Sequence, residues 1–184
     1  MTSARSGGHQ AHGDQQRLTL LIPDWTIYSG PFHEPVQRGD RWTITPEFVP
    51  LTGPKQTPAA ELGYRSIGGL ARYEITMDIV SAGVVVVGSI GGLRVAAWNG
   101  NRKWDHVLQN ERYTVQALLS ISDHADAPGY REAARRHVTE SEWIVDELGV
   151  VFAGGSGERV TIENSHAVPL GGIKEFIVDL SRGA

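Results

Sequence analysis

The chain has 184 residues, 40% of them hydrophobic and 21% charged, which is enough apolar material for a substantial core in one domain or two small ones. A formal net charge of -4 supplies no basic field for a phosphate backbone, so nucleic acid is excluded as the expected partner. The count of zero cysteines excludes disulfides, thiolate metal sites, iron–sulfur clusters and a Cys nucleophile together.

Residues 1–16 are rich in Gly, Ser, His and Gln and carry no large apolar residue after Met1, so they read as a disordered tail. They also lack the apolar centre of a signal peptide. The longest apolar run, Val84-Val85-Val86-Val87, falls far short of the roughly 20 residues that span a bilayer, so no membrane partner is expected and the cytoplasm is the expected location. From Arg17 onward, β-branched runs broken by Gly, Pro and Asn predict many short strands, at 18–22, 41–48, 73–80, 84–88, 93–98, 113–121, 150–152, 159–163 and 174–180. One short helix is predicted near 129–137, where Asp126 offers a cap, Pro128 sits near the first turn, and Arg-Glu-Ala-Ala-Arg-Arg has good helix propensity. Thr139 with Glu142 also reads as a capping box, which leaves 143–148 open between helix and strand.

The pattern repeats internally. Arg38-Gly39-Asp40-Arg41-Trp42-Thr43-Ile44 aligns with Gln109-Asn110-Glu111-Arg112-Tyr113-Thr114-Val115 at an offset of 71 residues. Gly83-Val84-Val85-Val86-Val87-Gly88 aligns with Gly149-Val150-Val151-Phe152-Ala153-Gly154 at an offset of about 66, Pro58 with Pro128 at 70, and Trp25 with Trp98 at 73. Similar offsets at four places predict a tandem repeat of one small β unit. The expected fold is therefore mainly β: two tandem units, barrel or sandwich, related by a pseudo-twofold axis, with one short helix. The first unit would cover 17–92 and the second 93–184.

The run Pro23-Asp24-Trp25, Ser29-Gly30-Pro31-Phe32 and Arg38-Gly39-Asp40-Arg41-Trp42 resembles the opening of a family of small uncharacterised actinobacterial proteins, and Phe176-Ile177-Val178-Asp179-Leu180 resembles that family's closing strand. The resemblance covers about a fifth of the chain and implies a cytoplasmic, β-rich bacterial protein, while the family it points to brings no activity with it. That family carries a cysteine pair before its Gly-x-Pro-Phe element, where this chain has Tyr28-Ser29, so no metal or redox role carries over.

Among chemistry-bearing constellations, Asp123-His124-Ala125-Asp126 places two carboxylates and an imidazole between a strand and the helix, a set suited to a divalent cation or an acid–base pair. The same aspartates equally serve turn and N-cap hydrogen bonds. His106, His137 and His166 add no diagnostic spacing, and His9, His12 and Asp14 lie in the tail. The Gly-rich stretches 88–92 and 154–157 lack Gly-Lys-Ser/Thr and precede strands rather than helices, so they read as hairpin turns and not as phosphate loops. No Gly-x-Ser-x-Gly elbow is present.

Trp42 lies among β-branched neighbours and reads as core. Trp25, Phe32, Trp98 and Trp104 flank two loops that also hold His33 and His106; aromatics with polar neighbours on loops make a recognition surface, while the structural alternative is that each tryptophan plugs a barrel end. The sequence is thus read as a non-catalytic binding or interaction module with Trp25, Phe32, His33, Trp98, Trp104 and His106 as binding residues and no metal or cofactor. Its partner would be a small molecule or a protein, including a second copy as a homodimer. The alternative is a metal-assisted or hydrolytic enzyme centred on Asp123, His124 and Asp126.

Overall fold

A computed structural model describes residues 16–23, 35–59, 61–100, 102–121, 130, 132, 136, 140–154, 157–168 and 172–182. Among them the chain forms β1 (Arg17–Pro23), β2 (Arg41–Ile44), β3 (Pro46–Pro50), β4 (Lys55–Gln56), β5 (Gly63–Ser66), β6 (Arg72–Ser81), β7 (Val85–Ile90), β8 (Leu93–Trp98), β9 (Arg112–Ile121), β10 (Ser141–Phe152), β11 (Val160–Ile162) and β12 (Ile173–Arg182). The mainly β expectation holds. Tyr130, Glu132 and Arg136, inside the segment expected to be helical, occupy helical positions, and Arg136 pairs with Glu132 one turn earlier.

Period-two patterning explains the strands. In β6, Tyr73, Ile75, Met77 and Ile79 are buried while Glu74, Thr76 and Asp78 alternate with them nearer the surface. The same inward row runs along β9 through Tyr113, Val115, Ala117, Leu119 and Ile121. Strands β3, β8, β7, β6 and β9 pair in a ring, closing a five-stranded barrel, with β4 added to β9 and β5 to β6. All these pairs are antiparallel except β3 with β8, joined in parallel where Glu47 faces Ala96. Closure leaves the barrel wall without an open edge.

A second, curled sheet runs β1-β12-β10, and β10 carries both β2 and β11 on its far edge. The predicted strand 41–48 divides at Thr45, because β2 pairs with β10 in the curled sheet and β3 with β9 in the barrel. Residues 143–148 are strand: Trp143, Val145 and Leu148 are buried and the segment pairs with β12, so long-range pairing overrides the local capping box. The strand predicted at 150–152 is only the end of this 12-residue element.

One continuous core joins the two sheets, with Leu18, Leu20, Phe176 and Leu180 from the curled sheet packed into the same cluster as Ile75, Met77, Val95 and Leu119 of the barrel. The sheets do not divide where 17–92 was expected to meet 93–184. The barrel takes β3, β6 and β7 from one side of that boundary and β8 and β9 from the other, and the boundary itself falls on the β7–β8 turn, where Gly91 (φ 53°) and Gly92 (φ 92°) make the tight reversal. The local likeness between Gly39 and Asn110 has a direct cause: both are left-handed (φ 91° and 67°) in the turns that lead into β2 and β9.

Candidate functional site

A cleft of about 940 Å³ lies at the seam between the curled sheet and the barrel. Its curled-sheet wall begins with register: Thr19 of β1 stands opposite Asp179 of β12, which stands opposite Glu147 of β10. Thr19 Oγ1 donates to Asp179 Oδ1 (2.6 Å) and Arg159 Nη1 to Asp179 Oδ2 (2.6 Å), while Arg159 Nη2 lies 2.8 Å from Glu147 Oε1. Thr161 Oγ1 completes the row by donating to Glu147 Oε1 at 3.0 Å. Gly149 makes room for this arrangement, since a Cβ there would stand 2.6 Å from Arg159 Nε and 2.8 Å from its Cγ. A bulge between Val145 and Glu147 adds Asp146 to β10 and turns it so that its Oδ1 accepts from Ser181 Oγ at 2.9 Å.

The barrel wall is the β5–β6 hairpin, which contributes Tyr64, Ser66 and Tyr73. Tyr73 Oη accepts the Thr19 backbone N–H at 2.8 Å and so fastens β1 to the barrel. Tyr64 stands edge-on to Tyr73, with ring centroids 5.8 Å apart at 78°. Burial, reinforced by Tyr73 and opposed by Arg182, pushes the Tyr64 hydroxyl up to about 12, so it remains protonated at neutral pH.

Arg38 and Glu163 line the remaining end. They are held there by the bridge between Gln37 and Asn164 and by Ser165, whose Oγ accepts Val36 N–H at 2.9 Å while its own N–H donates to Val36 O at 2.8 Å.

Of the residues expected from the sequence, the described ones are placed elsewhere. Trp25, Phe32 and His33, like Asp123, His124 and Asp126, lie outside the described residues. Trp104 is 1% exposed and packs edge-on against Phe48 at 5.1 Å, so it is a core side chain and not a recognition surface. Trp98 faces outward from the barrel against Val85, Val87, Ala96 and Tyr130, a cluster separate from the main core, with its ring 6.1 Å from that of Tyr130. His106 is exposed, its Nε2 3.5 Å from Pro54 O. The structure therefore does not bring Trp98 and Trp104 together: one lines the outside of the barrel and the other its filling.

The cleft residues were not found from the sequence because no motif joins them. Thr19 and Asp179 meet across 160 positions of chain, and β5, which supplies Tyr64, was not predicted as a strand. The weak signal available was a polar residue within each strand end, Thr19 in Leu-Thr-Leu and Asp179 in Val-Asp-Leu. Among the described residues, no three His, Asp or Glu side chains are grouped to hold a metal ion, and no helix is long and apolar enough to cross a membrane. Comparison with protein-family models, with curated proteins and with solved structures found no match to this chain.

Proposed function

We propose that this protein binds a small molecule in the cleft between the barrel and the curled sheet, and that it does so without catalysis. The observation that carries this reading is the cleft itself: about 940 Å³ of concave space, walled by the Tyr64–Tyr73 pair on one side and by an ordered polar row on the other. That volume lies within the range of small-molecule sites, and the mixture of aromatic rings with few fixed polar groups is their usual lining. Binding is favoured over chemistry because Asp179 and Glu147 are committed to Thr19, Arg159 and Thr161, and Tyr64 titrates far above neutrality.

The test is a ligand screen read by amide chemical shifts in NMR spectra. Binding at this site shifts Arg17, Thr19, Tyr64, Ser66, Leu148 and Thr161, and Tyr64→Ala abolishes it. Shifts confined to Trp98 and Tyr130 would overturn the assignment in favour of the outer barrel face.

A further inference from the structure

The cleft's hydrogen-bonding groups are unequally committed. Three of its carboxylates already accept: Asp179 from Thr19 and Arg159, Glu147 from Thr161 with Arg159 beside it, and Asp146 from Ser181. Two of its cations do not donate. Arg17 and Arg38 line the same cleft with neither a hydrogen bond nor an ion pair among the described residues, and the Tyr64 hydroxyl likewise has no protein acceptor there. Glu163 is the one uncommitted carboxylate, and it follows Ile162 into the Gln37–Asn164 bridge, one residue from Arg38's own place beside it. The Arg38 end is therefore balanced in charge, and the excess of free donors sits at the other end.

That other end has a defined composition. Arg17 and Thr19 are two residues apart on β1 and so lie on one face, and the Thr19 N–H is held by Tyr73, whose ring meets that of Tyr64. Arg182 donates its backbone N–H to Gln16 O at 2.9 Å, next to Arg17, and its charge acts on Tyr64. The Arg17 guanidinium and the Tyr64 phenol thus lie on the cleft wall beside the Tyr64–Tyr73 aromatic pair.

We propose that the ligand carries an oxyanion, carboxylate or phosphate, attached to a flat apolar ring, with Arg17 gripping the oxyanion, Tyr64 donating to it, and the ring lying against Tyr64 and Tyr73. This rests on the cleft being the binding site. A guanidinium with all its donors free matches two oxygens of a carboxylate or phosphate at once. The Tyr64 proton is retained throughout the physiological range, so the hydroxyl serves as a donor to an anion.

The experiment uses four probes of similar shape and different charge: phenyl phosphate, benzoate, benzamide and benzylamine, titrated into the full chain and followed by amide shifts at Arg17, Tyr64 and Ser66. The expected result is that phenyl phosphate or benzoate binds there, the tighter of the two naming the oxyanion, while benzamide and benzylamine bind more weakly. Arg17→Gln should weaken the anion by roughly tenfold to a hundredfold, the loss that removing a charge-assisted hydrogen bond brings. Tyr64→Phe should weaken it by roughly threefold to tenfold, with the ring contact retained. The Arg17 side chain is exposed and has no hydrogen bond or ion pair among the described residues, so an unchanged melting temperature confirms that Arg17→Gln folds. Benzamide or benzylamine binding as tightly as the anions, or an anion affinity indifferent to Arg17→Gln, overturns the oxyanion and leaves the cleft as a binding site. Cleft amides that respond to none of the four probes overturn both.

Discussion

Gly149→Ala tests whether the Arg159 stem lies across β10 as a structural brace of the cleft wall. The added methyl would sit 2.6 Å from Arg159 Nε, 2.8 Å from Cγ and 3.2 Å from Cδ, so the side chain has to lift away and release Asp179 and Glu147. Losing the partly buried hydrogen bond to Asp179 costs about 1.5–3 kcal/mol, and losing the half-exposed Glu147 partner adds about 0–1 kcal/mol. Replacing glycine in a strand interior returns about 0.5–1 kcal/mol of chain entropy. The net expectation is a destabilisation of about 1–3 kcal/mol, measured as a lower urea midpoint at constant m-value. In an Arg159→Ala background the clash is absent and only the entropic gain remains, so the same substitution should stabilise by about 0.5–1 kcal/mol. If Gly149→Ala has the same effect in both backgrounds, the stem does not occupy this groove and the brace is refuted.

Trp104→Ala removes a fully buried ring packed on Phe48 and should cost about 3–5 kcal/mol by chemical denaturation, whereas Trp98→Ala, on the outer face, should cost less than half of whatever Trp104→Ala costs. The Arg112 guanidinium, hydrogen-bonded to both Asp78 oxygens (2.7 and 3.1 Å), holds that carboxyl below its ordinary range. A depressed carboxyl stabilises above its unfolded value and loses that contribution as pH falls through the folded one. Asp78→Asn should therefore reduce stability at neutral pH and flatten the decline below about pH 4, as acid titration of the melting temperature would register. Tyr64 runs the other way: its raised value means a contribution fully present below the ordinary tyrosine range near pH 10 and lost as pH rises towards about 12. Phenolate absorbance should accordingly show a late-titrating tyrosine that disappears in Tyr64→Phe, and a spectrum with no such component would contradict the burial of that hydroxyl.

Much of the fold could be read from the sequence because strand patterning is local. The alternation Tyr-x-Ile-x-Met-x-Ile of β6, the β-branched run of β7 and the Gly91-Gly92 reversal are each visible within ten residues, and all appear where expected. What the patterning leaves open or misplaces shares one cause, which is pairing over long distance. Nothing near Thr45 says that residues on either side of it join different sheets, and nothing near Thr139 and Glu142 says that Trp143 will be buried beside Trp42 and Arg182. Strands β4 and β5 are two and four residues long, too short to display a period, and exist because β9 and β6 run on past their ring partners β3 and β7.

The candidate site lies beyond sequence reasoning for a related physical reason. Aromatic residues were the conspicuous signal, yet a conspicuous tryptophan is as useful for filling a barrel as for meeting a ligand, and Trp104 and Trp143 are spent on the core even though their indole N–H groups are left without acceptors. What makes the cleft is register: Thr19, Asp179 and Glu147 fall into one row only because β1, β12 and β10 pair as they do, and Tyr73 reaches Thr19 only because the curled sheet docks on the barrel. The site thus sits across the joint between the two sheets, with Arg17 and Thr19 on one side and Tyr64 and Ser66 on the other. A molecule held by both sides adds contacts that vanish if either sheet departs, so ligand binding here should raise the stability of the whole chain and not of one sheet alone, in proportion to the logarithm of ligand concentration over its dissociation constant.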